Sequence, residues 1–159
     1  MPKTPKRIRP HRIRKRGPRK GSFLQVAALC YRGAGPDLRV LLVTSRQTKR
    51  WIVPKGWPMK RMSKREAALR EAYEEAGVEG VITGKSLGFF AYSKVLRDGL
   101  SIRCSVQVFP VEVTKLKRTY PELGQRKRKW FKPKKAANRL SDPQMAVLLR
   151  QFAAHPNKA

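Results

Sequence analysis

Apolar residues along the chain fall into short runs with the length of β-strands. The first run, residues 22–32, is almost continuously apolar, and the glycine-containing segment 33–37 predicts a turn after it. The run at 38–44 is predicted to return as the antiparallel hairpin partner of the first. Further β-like runs lie at 50–54, 81–92, 100–113 and 126–131, and stretches that begin with proline predict helices at 133–140 and 143–153.

A central helix is predicted from the signals at its two ends. Ser63 and Glu66 fit a capping box, in which the serine hydroxyl accepts a hydrogen bond from the Glu66 amide and the Glu66 side chain returns one. Gly77 predicts the C-terminal stop. Polar loops are expected at 55–62 and 114–125. Strands on both sides of this helix, with closing helices, predict an α/β fold in the form of a mixed sandwich.

The chain is strongly basic, with 38 Lys and Arg against 10 Asp and Glu and a net charge of +28. Residues 1–20 hold ten of the basic residues and no acidic ones, so residues 21–159 keep a charge of +18. We expect a disordered basic tail over 1–20 and one folded domain over 21–159, because the tail has few apolar residues to bury. The charge predicts polyanionic partners, including nonspecific contact of the tail with nucleic acid.

Cysteine usage and hydropathy indicate the cellular context. Cys30 and Cys104 lie in β-like apolar runs without a C-x-x-C pattern or a nearby histidine, which predicts reduced core thiols rather than zinc ligands, a disulfide or a catalytic thiol. No apolar stretch reaches the roughly 18 residues that cross a bilayer, and the N-terminus lacks an apolar signal segment. We therefore expect a soluble, cytoplasmic protein with no membrane partner.

Half of the acidic residues lie between Glu66 and Glu79. Within this segment Glu71, Glu74 and Glu75 are spaced i, i+3 and i+4, so a helix places all three carboxylates on one face. Their repulsion is offset most readily by a divalent cation, and such oxygen ligands suit Mg²⁺ or Mn²⁺. A solvated acidic face is the simpler alternative for the helix taken alone.

The spacing before the helix makes the chemistry more specific. From Gly56 to Val78 the sequence resembles the Nudix box, which is a glycine, five residues, a glutamate, seven residues and then R-E-U-x-E-E-x-G-U, where U is apolar. The matching residues are Gly56, Arg70, Glu71, Ala72, Glu74, Glu75, Gly77 and Val78. Met62 stands where the box has its first glutamate, which weakens the case for an auxiliary metal ligand there.

The likeness extends over residues 22–152 and is most similar to the Nudix branch that acts on diphosphoinositol and diadenosine polyphosphates. The segments that carry it outside the box are 28–32, 45–46, 51–54 and 128–132. This resemblance implies an α/β/α sandwich with a mixed sheet. It also implies a Mg²⁺-dependent pyrophosphohydrolase of highly phosphorylated small molecules.

The same resemblance assigns roles to the acidic residues. Glu71 and Glu75 would bind the metal with the backbone carbonyl of Lys55, and Glu74 would be the general base and contribute to the metal site. Other Nudix enzymes use the residue matching Glu71 as the base, or an acid outside the box. Glu112 and Glu122 are the reserve candidates for such an acid, although a surface residue is the favoured interpretation of each.

Basic and aromatic residues are the candidates for binding the substrate. Arg70 either orients the carboxylates or only pairs with neighbouring glutamates on the helix surface. Arg46 matches a substrate-contacting position of the branch, and the other expected phosphate ligands are Arg50, Arg103, Arg126 and Arg128, with Lys94 and Lys132 as companions. The aromatic residues that would either stack on a nucleobase or belong to the core are Trp51, Trp57, Tyr92 and Trp130.

Two alternative functions follow from the positive charge. The basic tail favours hydrolysis at the 5′ end of RNA. The overall charge alone is also consistent with a noncatalytic RNA-binding protein that uses the fold as a scaffold. Three clustered glutamates argue against the noncatalytic alternative, because a pure polyanion binder gains nothing from them.

Overall fold

A computed structural model describes residues 22–155 of the chain, so the tail predicted over residues 1–20 lies outside the described residues. The described part contains an eight-stranded sheet and three α-helices. The strands are β1 Phe23–Arg32, β2 Arg39–Thr44, β3 Trp51–Ile52, β4 Lys55–Gly56, β5 Val78–Ile82, β6 Gly88–Val95, β7 Ser101–Leu116 and β8 Arg128–Phe131. The helices are α1 Lys64–Ala76, α2 Pro133–Arg139 and α3 Pro143–Ala154.

The sheet is mixed, and its centre is a parallel pair. β1 and β7 run parallel from Phe23 opposite Cys104 to Tyr31 opposite Glu112. β2 pairs antiparallel with β1, as predicted for the hairpin, while β8 forms the neighbour of β2 on its other side. β5 and β6 both pair antiparallel with β7. The predicted α/β fold with a mixed sheet is confirmed.

Helices cover both faces of the sheet, which explains the unbroken apolar run of β1. Ala28 and Cys30 pack on one face against Ala72 of α1. Leu29 and Tyr31 point to the other face, where α2 and α3 contribute a set of buried residues that includes Ala136, Met145, Leu149 and Phe152. Strands buried on both faces need apolar residues at every position rather than at alternate ones. Each fully buried leucine or phenylalanine contributes about 1.5–3 kcal/mol to stability.

Helix α1 begins and ends where its local signals predict. The Ser63 hydroxyl accepts a hydrogen bond from the Glu66 amide at 3.1 Å. Gly77 has φ of 66°, and its amide bonds the Ala72 and Tyr73 carbonyls. A Cβ atom at Gly77 would overlap the Tyr120 ring and lie 2.7 Å from Arg128 Nη1. Glycine is therefore required here both for backbone conformation and for space.

Three predicted boundaries were wrong because tertiary pairing decides them. The single run predicted at 81–92 is two strands, β5 and β6, separated by a loop in which Gly84 has φ of 80°. The loop predicted from residue 114 starts later, since β5 keeps β7 paired as far as Leu116. The loop predicted at 55–62 contains the short strand β4, which pairs with β1.

None of the helices in the described range combines the length and the apolar character needed to cross a lipid bilayer.

Candidate active site

Three buried glutamates form the centre of the site. Glu71 is fully buried, and Glu74 and Glu75 are 7% and 5% exposed, on the face of α1 that packs toward the sheet. This excludes the solvated acidic face considered from sequence. Burying ionised carboxylates is unfavourable unless cations or hydrogen-bond donors compensate them. The surroundings of each carboxylate therefore indicate what the site can bind.

Glu75 is held between a backbone amide and a guanidinium. Its Oε2 accepts a hydrogen bond from the Lys55 amide at 3.2 Å, and its Oε1 lies 3.4 Å from Arg126 Nη2. Burial raises the pKa of Glu75 to about 8; nearby Glu71 acts in the same direction, and Arg126 opposes it. A bound divalent cation would favour the ionised carboxylate, because it adds a compensating charge at the same place.

Arg126 uses all three of its guanidinium nitrogens inside the protein. Nη2 faces Glu75, Nε donates to Glu122 Oε1 at 3.2 Å, and Nη1 donates to the Thr44 carbonyl at 3.2 Å. Its side chain is only 8% exposed. One arginine thus joins the end of β2, the segment before β8 and helix α1.

Glu122 brings a second arginine to the same place. Arg46 Nη1 lies 3.9 Å from Glu122 Oε1 and also donates to Gln125 Oε1 at 3.5 Å. In contrast to Arg126, the Arg46 side chain is 61% exposed, so it is accessible to a ligand in solution. The Glu122 amide donates to the Glu74 carbonyl at 3.0 Å, which fixes this loop against the end of α1. From the sequence, Glu122 was predicted only as a reserve acid. Thr44 was not identified, because its contact is made by the backbone carbonyl, which has no signature in the sequence.

Arg70 and Glu74 form the ion pair that their i, i+4 spacing allows. Arg70 Nε donates to Glu74 Oε1 at 3.0 Å, while its guanidinium also lies over the Tyr73 ring at 5.4 Å from the centroid. The arginine side chain is one-third exposed and the carboxylate is nearly buried. Arg70 therefore fixes the orientation of the buried Glu74 carboxylate from the helix surface. The catalytic roles of Arg70, Glu71 and Glu74 stay predictions.

Lys55 contributes a backbone amide to the site, whereas its side chain extends to a neighbouring cluster. Its Nζ lies 5.0 Å from the centroid of the Tyr92 ring. Burial lowers the pKa of Lys55, while Asp142 and Glu75 oppose that shift. The Tyr92 hydroxyl donates to Gln25 Oε1, which anchors the ring between β1 and β6. Metal binding by the Lys55 carbonyl stays a prediction.

The remaining predicted phosphate ligands are not gathered at the glutamates. Arg50 donates to Thr48 Oγ1 on an exposed loop, and Arg103 is exposed on β7. Arg128 points to the C-terminal end of α1, where it donates to the Ala76 and Lys117 carbonyls at 2.7 and 2.8 Å. Of the five arginines, Arg126 contacts Glu75 and Arg46 reaches the neighbouring Glu122. The substrate-binding roles of all five arginines stay predictions.

Other residues singled out from sequence have structural partners. Trp51 packs edge-on against Phe131 at 5.0 Å between ring centroids, and Trp130 lies under the Arg32 guanidinium. Both cysteines are buried and unpaired, which confirms the prediction of reduced core thiols. Burial raises the pKa of Cys30 to about 12, so this thiol is not a nucleophile at neutral pH.

The chemistry of the glutamates fits a hard divalent cation, but their present arrangement is not a finished metal site. Buried carboxylate oxygens are the donors that Mg²⁺ and Mn²⁺ prefer. Yet within residues 22–155 no group of three or more His, Cys, Asp or Glu side chains converges closely enough to hold a metal ion. Arg126 and the Lys55 amide occupy positions around Glu75 that a cation would contest.

Comparisons with known proteins show the family. The family model of the NUDIX domain matches residues 22–152. Diphosphoinositol polyphosphate phosphohydrolase 3-alpha of Mus musculus is 35% identical over 129 residues, covering 79% of this chain and 73% of the relative. The 3-beta enzyme of Homo sapiens is 34% identical with the same coverage.

Solved structures show the same fold at lower sequence identity. The crystal structure of the C. elegans Ap4A hydrolase superposes with a TM-score of 0.60 at 19% identity, covering 84% of this chain and 97% of that one. A NUDIX hydrolase from Nitrosomonas europaea gives a TM-score of 0.64 at 17% identity, covering 82% and 88%. At these identities the likeness establishes the architecture alone.

Proposed function

Because this chain belongs to the NUDIX domain family and is a Nudix hydrolase, we propose that it uses Mg²⁺ to cleave phosphoanhydride bonds in diphosphoinositol or dinucleoside polyphosphates. The observation that supports this most directly is the burial of Glu71, Glu74 and Glu75, with Arg126 in contact with Glu75 and Arg46 reaching the neighbouring Glu122. Anhydride cleavage requires carboxylates for a cation and cationic groups for phosphates, and the site provides both within one cluster.

Each side chain has a role that follows from its contacts. A cation bound by Glu71 and Glu75 would neutralise phosphate charge and supply an activated water. Glu74 is the proposed base, and the hydrogen bond from Arg70 fixes its carboxylate. Arg46 is exposed enough to bind a phosphate group directly, whereas Arg126 holds Glu75 and Glu122 in place.

The strong positive charge of the body supports a substrate with many phosphates. Residues 21–159 carry +18, and all ten acidic residues of the chain lie in that range. The two curated relatives described above have names that specify diphosphoinositol polyphosphates as their substrates. A compact molecule with several phosphate groups would be attracted by this field and bound by the arginines at the site.

The proposal is tested by measuring phosphate release from a panel of candidates. The panel contains a diphosphoinositol polyphosphate, a diadenosine polyphosphate and a plain nucleoside triphosphate, each with Mg²⁺, Mn²⁺ or a chelator. We expect cation-dependent turnover of at least one of the first two and none with the chelator. Absence of release from every compound in the presence of Mg²⁺ and Mn²⁺ would overturn the proposal.

A second candidate substrate, the 5′ end of RNA, is favoured by a basic surface formed by the segment that follows Arg126. This β8–α2 surface consists of six exposed residues: Lys127, Lys129, Lys132, Lys134, Lys135 and Arg139. No acidic residue occurs between Glu122 and Asp142, and within the described range none of the six forms an ion pair.

This second candidate predicts a salt dependence that small substrates do not share. Changing Lys129, Lys134, Lys135 and Arg139 to glutamine removes about four phosphate contacts, which lowers the slope of log affinity against log salt by about 3 for single-stranded RNA. The matched control changes four basic residues elsewhere on the exposed surface, Lys64, Lys85, Lys115 and Arg118. If both variants lose RNA affinity equally, the β8–α2 surface is not a specific track. RNA binding without release of phosphate from any substrate would favour the noncatalytic alternative.

A further inference from the structure

Arg126 is shared between two carboxylates, of which only one belongs to α1. Nη2 lies 3.4 Å from Glu75 Oε1, and Nε lies 3.2 Å from Glu122 Oε1. Both carboxylates are largely buried, with side-chain exposures of 6% and 16%, and the arginine is 8% exposed. The guanidinium therefore has two counter-ions in a poorly solvated place, where an unpaired charge is strongly unfavourable.

A divalent cation and Arg126 compete for the same oxygen atoms of Glu75. The cation needs lone pairs of the carboxylate, and Arg126 already faces Oε1 while the Lys55 amide faces Oε2. A cation bound to Glu75 would lie close to the guanidinium of Arg126, and repulsion between the two positive charges would weaken the contact between Arg126 and Glu75. The arginine then depends on its remaining partners, which are Glu122 and the Thr44 carbonyl.

We propose that Glu122 is a positioning residue that retains Arg126, and with it Arg46, beside the glutamates when a divalent cation takes Glu75. The inference rests on the proposed function for the identity of the cation site, but it concerns a residue outside the Nudix box. Glu122 suits this role because its Oε1 faces both arginines and its amide is fixed to the Glu74 carbonyl. Without Glu122, Glu75 would be the one carboxylate left in contact with Arg126 among residues 22–155, and the arginine would oppose the cation more strongly.

A different role for Glu122 would be to bind the cation itself. In that case its contribution to cation affinity would be independent of Arg126. In the positioning role its contribution acts through the arginine and disappears when the arginine is removed. A double-mutant cycle separates the two, because coupled residues depart from additivity and independent ones do not.

The experiment measures Mn²⁺ affinity by electron paramagnetic resonance for the full-length protein and for Glu122→Gln, Arg126→Gln and the double variant. Glu122→Gln should weaken Mn²⁺ binding about tenfold, within the range of coupling seen for contacting charged residues. Arg126→Gln should tighten it, because the competing cation is gone. In the Arg126→Gln background, Glu122→Gln should change the affinity by less than about twofold.

The control is Glu79→Gln, a 47% exposed residue of β5 with the same change of charge, which should leave Mn²⁺ affinity unaltered. An equal loss from Glu122→Gln in both backgrounds would overturn the positioning role and identify a direct ligand. If Glu122→Gln does not fold, Glu122→Asp keeps the charge and replaces it in the same cycle. The readout does not require turnover, so an inactive wild-type protein would refute the proposed function while the cycle would still decide the role of Glu122.

Discussion

Replacing Glu75 with glutamine is expected to remove hydrolytic activity while the fold remains intact. Glutamine keeps the size and shape of the side chain but has only one acceptor oxygen, so it cannot satisfy both the Lys55 amide and Arg126. If the glutamine oxygen faces the Lys55 amide, the glutamine NH₂ group faces the guanidinium of Arg126, and two donors meet. In the reverse orientation the NH₂ group faces the Lys55 amide, and again two donors meet. One of the two contacts is therefore lost in either orientation.

The energetic consequences differ for stability and for catalysis. A lost hydrogen bond to a charged group costs about 1.5–3 kcal/mol, and removal of a buried carboxylate returns part of that, which leaves about 1–2 kcal/mol. For a chain of this size the melting temperature should fall by about 2–8 °C. Loss of a cation ligand removes several kcal/mol of transition-state stabilisation, and 3–4 kcal/mol corresponds to a decrease of about 10²–10³-fold in kcat/KM.

The matched control is Glu79→Gln, which makes the same change of charge three positions after the end of α1. Glu79 is 47% exposed and pairs with Lys117 at 3.2 Å. Such an exposed pair contributes about 0–1 kcal/mol, and kcat/KM should stay within about twofold of wild type. The assay combines phosphate release with Mg²⁺ and thermal unfolding of both variants. Glu75→Gln protein that is folded and keeps more than about a tenth of wild-type kcat/KM would refute the reasoning.

Three further outcomes are expected. Arg70→Lys keeps the positive charge but loses the planar guanidinium that donates to Glu74 at 3.0 Å. Turnover should therefore fall about tenfold, while the protein is destabilised by less than about 1 kcal/mol. Unchanged turnover would indicate that Arg70 and Glu74 form only a surface ion pair. Gly77→Ala should destabilise the protein by more than about 1 kcal/mol, measured by denaturant unfolding, because φ is 66° and the Tyr120 ring fills the space of a Cβ. In cation-free protein the pKa of Glu75 is raised from 4.5 to about 8, so the folded state binds this proton more tightly than the unfolded state. The free energy of unfolding should therefore decline as the pH rises between those values. Glu75→Gln should flatten this decline, and an identical decline in the variant would show that Glu75 is not its cause.

Elements whose ends depend on residues nearby in the sequence could be predicted, whereas elements whose ends depend on distant strand pairing could not. Helix α1 was predicted with its ends because Ser63 and Gly77 act on the backbone within one turn. The division between β5 and β6 was missed, since pairing of both strands with β7 decides it. Local signals thus located the glutamates, whereas long-range pairing set the strands around them.

Arg126, just before β8, and Arg128, within β8, show that sequence spacing alone does not determine which residues meet at the site. Arg126 and Arg128 are two residues apart, and the predicted extended backbone places them on the same side, as observed. A separation of roughly 6.6 Å along a strand is nevertheless enough for one to reach Glu75 and the other the carbonyl end of α1. Sequence spacing assigns the side of the sheet, but the position of α1 decides which arginine meets a carboxylate.

The charge of the chain acts in opposite directions on the two ligands that the proposed reaction needs. A net charge of +28 attracts a polyphosphate and repels a divalent cation. At physiological ionic strength, screening reduces both effects beyond about 8 Å, so the cation responds chiefly to the charges nearest to it. Those charges are Glu71, Glu74 and Glu75, which are buried; Arg70 pairs with Glu74 and Arg126 with Glu75. The two arginines thus offset part of the charge of the buried carboxylates before a cation binds, and a cation at Glu75 would meet the guanidinium of Arg126.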